Sequence, residues 1–158
     1  MTVTPNPPSF VDPEAFTVSR TISIAAAPEQ VWEAITKPEH IAKWSSFTPS
    51  MDRIAVGGEG AWVLPNYGST PITIEEIDPP VSISYRWGPS GADVVDPAAS
   101  TVFRFTLEAV AGGTVLTVVE SGFERFADAT DQLESHRQGW DSQLDALAAY
   151  FPSTVEAA

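Results

Sequence analysis

From Phe16 to Ile24 apolar and polar side chains alternate. Phe16, Val18, Ile22 and Ile24 share one parity, and Thr17, Ser19, Thr21 and Ser23 share the other, which predicts a strand with one buried face. Arg20 interrupts the apolar parity. Either it lies near the strand's open end and snorkels to water, or its guanidinium enters a cavity. The period then changes across residues 25–44, AAAPEQVWEAITKPEHIAKW. Pro28 suits a first helical turn, Glu29 complements the helix dipole, and Val31, Trp32 and Ile35 form an apolar side. Lys37-Pro38 ends that helix and allows a second short one over 39–43.

Period-two patterns return after the loop SSFTPS. Short strands are expected over 53–56, ending at Gly57-Gly58, and over 60–64, before an Asn66-Tyr67-Gly68-Ser69 turn. Residues 71–77 follow, broken by Asp78-Pro79-Pro80, and then 81–87, with Val81, Ile83, Tyr85 and Trp87 on one side. Residues 88–100 carry no pattern and read as a mobile loop. Residues 101–109 place Phe103, Phe105 and Leu107 on one face, and Gly112-Gly113 turns the chain into a last strand over 114–123. Residues 129–151 then read as one long helix. Leu133, Trp140, Leu144, Leu147 and Phe151 recur within one stripe at about 100° per residue. Gly139 stands mid-helix, where glycine costs about 1 kcal/mol relative to alanine.

The order is strand, two short helices, six strands, long helix. Local hairpins imply an antiparallel sheet, and seven strands curl through their twist. The long helix fits the concave side. The expected fold is therefore α+β: a curved seven-stranded antiparallel sheet, two short helices after the first strand, and a long C-terminal helix across the concave face. Residues 1–14 are expected to be a flexible, proline-rich extension, 15–151 one domain, and 152–158 a tail.

Composition narrows the partners. Eight basic against 21 acidic residues give a net charge of −13. Such a chain repels phosphate backbones and anionic membrane surfaces. It has no cysteine, which removes disulfides and thiolate chemistry and fits a reducing cytoplasm. No apolar run reaches the ~18 residues of a membrane span, so no membrane insertion is expected.

Several segments, in order, carry a family resemblance: Arg20-Thr-Ile-Ser-Ile24, then residues 27–40 (APEQVWEAITKPEH), Gly57-Gly58, the Glu76–Pro80 turn, residues 113–123 (GTVLTVVESGF), and Gly139-Trp140 with Leu144 and Leu147. The chain resembles the START-like, helix-grip superfamily, also called SRPBCC, which includes polyketide cyclase/dehydratases and lipid carriers. Within it the branch related to the C-terminal domain of the activator of the heat-shock-protein-90 ATPase is most similar. Trp44 is followed here by Ser45-Ser46, where that branch often has paired tryptophans. The resemblance implies a cavity for apolar small molecules between the long helix and the sheet. It implies no single reaction.

Candidate ligand-binding residues are Trp62, Tyr85, Trp87, Phe103, Phe105, Glu120, His136, Arg137, Trp140 and Leu144. The aromatic residues either close a core or wall a pocket. His136, four residues before Trp140, is either a polar group at the cavity edge or an exposed helix histidine. Glu120 shares parity with Leu116 and Val118. Facing inward it would have a raised pKa unless Arg20 or Arg137 met it; the alternative places it at the strand's wet end. With two histidines and no HxH or HExxH spacing, no metal site is expected, and no catalytic constellation or cofactor motif is present. The expected function is binding of an apolar or aromatic small molecule, lipid- or polyketide-like, without catalysis. The alternatives are a regulator of a chaperone ATPase acting by protein contact, and a polyketide cyclase/dehydratase-type enzyme.

Overall fold

A computed structural model describes residues 6–65 and 68–151. Residues 1–5 of the expected extension, the 152–158 tail and the Asn66-Tyr67 step of the expected turn lie outside the described residues. The elements are β1 (Phe10–Asp12), β2 (Thr17–Ile24), α1 (Pro28–Thr36), α2 (Pro38–Trp44), β3 (Thr48–Met51), β4 (Glu59–Leu64), β5 (Gly68–Asp78), β6 (Ser82–Trp87), β7 (Thr101–Val110), β8 (Gly113–Ser121) and α3 (Ala129–Tyr150). Short 3-10 turns occupy Pro97–Ala99 and Phe123–Arg125. The strands form one antiparallel sheet in the order β1-β2-β8-β7-β6-β5-β4-β3. It is the expected curved sheet with α3 across it.

The sheet has eight strands, not seven. The extra one is β1, within the stretch expected to be an extension, and it pairs with β2 from Phe10↔Ser19 to Asp12↔Thr17. A second difference lies after α2. The short strand expected at 53–56 is absent, and the edge strand β3 sits earlier, in the expected loop. Gly57 N donates to Ile74 O and Ile74 N donates to Gly58 O, so residues 57 and 58 clasp β5 instead. Gly58 cannot be replaced there, since a Cβ would lie 2.2 Å from the Arg53 carbonyl oxygen. Pro49 is tolerated in β3 because an edge strand can leave one N–H side unpaired.

The helices follow their local signals. Pro28 opens α1, and the Gln30 side chain accepts from Ala27 N at 3.1 Å. Lys37 is extended at ψ 121°, as a residue before proline prefers, and it separates α1 from α2. In α3 the predicted stripe is the buried one: Leu133, Trp140, Leu144 and Leu147 are all under 9% exposed. Phe151, just past the helix end, is half-buried.

Arg20 lies neither at the strand's open end nor in a cavity. It is on the inner parity of β2 with Val18, Ile22 and Ile24, 5% exposed, beneath α3. Its guanidinium donates to Pro7 O (2.8 Å), Asp141 O (2.9 Å) and Asp145 Oδ1 (2.7 Å). Asp141, which also accepts from Ser9 N at 2.6 Å, has its pKa lowered. Burial raises it, but the Ser9 donors and the Arg20 and Arg137 charges prevail. Arg20 thus fastens α3 and the N-terminal segment to β2.

Arg20→Met keeps the apolar stem and removes these donors. The Asp145 side chain is largely exposed, so no charge is left buried, and the expected loss is about 1–3 kcal/mol of unfolding free energy. Urea denaturation checks this, with an unchanged m-value expected.

Candidate functional site

The last inward position of β8 holds a carboxylate. Thr114, Leu116, Val118 and Glu120 alternate as buried residues, and Glu120 is 0% exposed. Across the sheet it faces Val18 on one side and Phe103 on the other. Neither candidate arginine meets it. Four other donors do. Oε1 accepts from His136 Nδ1 and Trp140 Nε1, each at 2.8 Å. Oε2 accepts from Thr101 Oγ1 at 2.5 Å and Trp87 Nε1 at 3.0 Å. Each oxygen carries two donors, which fills the acceptor sites of a carboxylate.

Burial alone would raise the Glu120 pKa. The His136 charge and the hydrogen bonds from His136, Thr101 and Trp87 outweigh it, so the pKa is lowered below its ordinary 4.5. His136 moves the other way. Desolvation lowers it, yet the Glu120 charge and hydrogen bond raise it above its ordinary 6.5. The two groups form a largely enclosed ion pair, with the His136 side chain 29% exposed.

All four donors line one cavity of about 470 Å³ between α3, the sheet and the 88–100 loop. That is within the range of pockets for drug-sized ligands, about 300–1,000 Å³. Trp62, Trp87, Phe105, His136 and Trp140 of the candidate residues are on its wall. Glu120 is not on the wall but behind it, and it holds the wall residues in place. Tyr85, Phe103 and Leu144 lie deeper, each 0% exposed. Tyr85 stacks on Phe103 at 5.1 Å and donates its hydroxyl to Ile35 O at 3.0 Å, so these two rings are core. Arg137 is engaged elsewhere. It bonds Glu134 at 2.6 Å and Asp141 at 3.2 Å along α3, away from the cavity lining.

Sequence reasoning missed Thr101, which shares parity with Phe103 and stands opposite Trp87 in the sheet. It also missed the companions of His136 and Gly139 on α3: Gln132, Ser135 and Gln143 line the cavity with them. Steps of four, three and four through 132, 136, 139 and 143 would have revealed this face. Gly139 gives the wall its open spot, as a Cβ there would meet nothing within 4 Å. The 88–100 loop, expected to be mobile, contributes Gly88, Pro89, Ser90, Ala99 and Ser100 to the wall. No described helix is long and apolar enough to cross a membrane.

Residues 25–152 match the family described as Activator of Hsp90 ATPase homolog 1-like protein. The chain belongs to this family. None of the curated proteins matches the chain. Among solved structures, protein MLL2253 from Mesorhizobium loti is similar at 27% identity and a TM-score of 0.71, over 84% of this chain and 94% of that one. The Aha1 dimer from Colwellia psychrerythraea is similar at 20% identity and a TM-score of 0.67, over 84% and 92%. DynU16, from the dynemicin biosynthetic locus, is similar at 22% identity and a TM-score of 0.67, over 85% of this chain and 46% of that one. These last two likenesses concern the fold, which is the expected START-like, SRPBCC one.

Glu120→Ala leaves two indole N–H groups, a hydroxyl and an imidazole without their acceptor. The expected cost is about 3–5 kcal/mol, read from chemical denaturation. The pair also sets a pH window. The lowered Glu120 pKa contributes stability fully above pH 4.5 and loses it as pH falls through the folded-state value. The raised His136 pKa contributes fully below pH 6.5 and loses it as pH rises through the folded-state value. The stability difference between wild type and Glu120→Gln should therefore peak between about pH 4.5 and 6.5. A flat difference across about pH 3 to 9 would contradict the ion pair.

Proposed function

We propose that this protein binds an apolar, aromatic small molecule in the cavity between α3 and the sheet. One observation carries the reading: a 470 Å³ space with a largely apolar wall that includes seven Trp and Phe side chains, with His136 as the one ionisable side chain among the described lining residues. The rings are also held before any ligand arrives. Trp87 packs edge-on to Phe103 at 4.9 Å and Trp140 to Phe105 at 5.8 Å, while both indole N–H groups bind Glu120. A preformed wall lowers the ordering cost of binding. DynU16 belongs to a biosynthetic locus, and that setting accords with a small-molecule ligand.

A second reading rests on the family description and the Aha1 neighbour: regulation of a chaperone ATPase by protein contact. Unchanged ATPase turnover on adding the chain would remove it.

Gly139 provides the test of the first reading. Gly139→Phe places a ring where the structure is open, so it should plug the cavity without displacing core residues. Calorimetric titration with a two-ring aromatic ligand is expected to show binding to wild type and at least about tenfold weaker binding to the variant, with Tm within a few degrees of wild type. Equal affinity for both proteins would place the ligand elsewhere.

A further inference from the structure

Several polar groups around the cavity are committed to partners, while the Thr70, Ser90 and Ser135 hydroxyls on its wall carry no hydrogen bond among the described residues. Glu120 is filled by four donors and lies behind the wall. Thr101 Oγ1 gives its proton to Glu120 and also accepts from Trp87 Nε1 at 3.1 Å. Both amide atoms of Gln143 are bonded to Ser46, and Gln132 Nε2 donates to Asp128. His136 is the one ionisable side chain on the described wall. Its Nδ1 faces an ionised carboxylate, an acceptor only, so Nδ1 carries a hydrogen. Its Nε2 has no partner among the described residues, and the side chain lines the cavity.

We infer that the ligand is a neutral aromatic carbonyl compound whose oxygen accepts a hydrogen bond from His136 Nε2–H. This rests on the cavity reading above and adds the polar half of the ligand. Three features select that chemistry. Held beside Glu120, the ring favours its doubly protonated form, in which Nε2 donates and suits a carbonyl. The Glu120–His136 pair is neutral in sum, the described wall has no lysine or arginine, and the chain carries −13. A carboxylate ligand would find no uncompensated cation and a repulsive field. A plain hydrocarbon would bury Nε2–H without an acceptor.

The groups bearing on His136 are few. β8 supplies Glu120, β6 supplies the uncharged Trp87, and Phe123 packs on the ring at 5.0 Å. In the same 3-10 turn Glu124 and Arg125 are exposed, Arg125 donating to Pro97 O. On α3 the neighbours Glu134 and Arg137 bond each other.

The test uses three probes of matched size with the full-length protein near pH 6: 2-acetylnaphthalene, 2-isopropylnaphthalene and 2-naphthoate. Affinities come from calorimetry, and the His136 Nε2 resonance from 15N NMR of histidine-labelled protein. The ketone should bind at least about tenfold tighter than the hydrocarbon, as a charge-assisted hydrogen bond implies. Only the ketone should move the Nε2 resonance, and the naphthoate should bind weakest. His136→Leu should erase the preference for the ketone. The wild-type resonance needs no variant, so the test survives if that protein fails to fold. Equal affinity for ketone and hydrocarbon with an unmoved Nε2 overturns this inference and leaves the cavity reading intact, as does tightest binding of the naphthoate. Absence of binding by all three overturns both.

Discussion

The arrangement of this protein depends on a buried carboxylate. An ionised group at zero exposure is costly unless hydrogen bonds replace its water, and Glu120 draws them from three elements. Trp87 comes from the end of β6, Thr101 from the start of β7, and His136 with Trp140 from successive turns of α3. Arg20 does the complementary work one strand away. Because Val18 pairs with Glu120 and Arg20 with Val118, the two charges are diagonal neighbours on the inner face. Yet each turns to α3, Glu120 to side-chain donors and Arg20 to helix carbonyls and Asp145. A buried anion and a buried cation therefore hold the same helix at neighbouring points, and hydrophobic packing fills the space between.

This has a direct effect on the cavity. Two indoles turn their N–H groups toward Glu120, so the surfaces they leave for a guest are apolar faces and edges. The carboxylate absorbs the polarity of the wall without appearing on it. What remains is a largely apolar lining with a few hydroxyls and one ionisable nitrogen, His136 Nε2, without a partner among the described residues. Tyr85 and Phe103 form the floor beneath, where tilted and stacked contacts of 5 to 6 Å contribute about 0.5–1.5 kcal/mol each beyond area burial.

Much of the architecture was legible in the chain because it depends on periodicity. The alternation through β2, β7 and β8 and the seven-and-four spacing of α3 are local patterns, and the structure bears them out. β1 was not legible: three residues, Phe10–Asp12, cannot show a period, and their pairing depends on β2 and on the Arg20 and Asp141 contacts nearby. The shift from 53–56 to Thr48–Met51 arose from glycines that clasp β5, a tertiary contact. At the site, the inward parity of Glu120 could be read, but its partners could not. They lie 16 to 33 residues away, and which of several basic or polar groups meets a buried acid is decided by the crossing of α3. Arginine was the reasonable expectation on charge alone; a histidine and two indoles were what the geometry delivered.

Four of the chain's five tryptophans, Trp44, Trp62, Trp87 and Trp140, line the cavity, and two of these share the carboxylate as acceptor. Indole emission responds to nearby charge and to contact with other rings. The protein's intrinsic fluorescence is therefore weighted toward the one region where a guest would sit. Its colour and intensity would report on the state of Glu120 and on any guest in the cavity together, an optical readout that needs no added label.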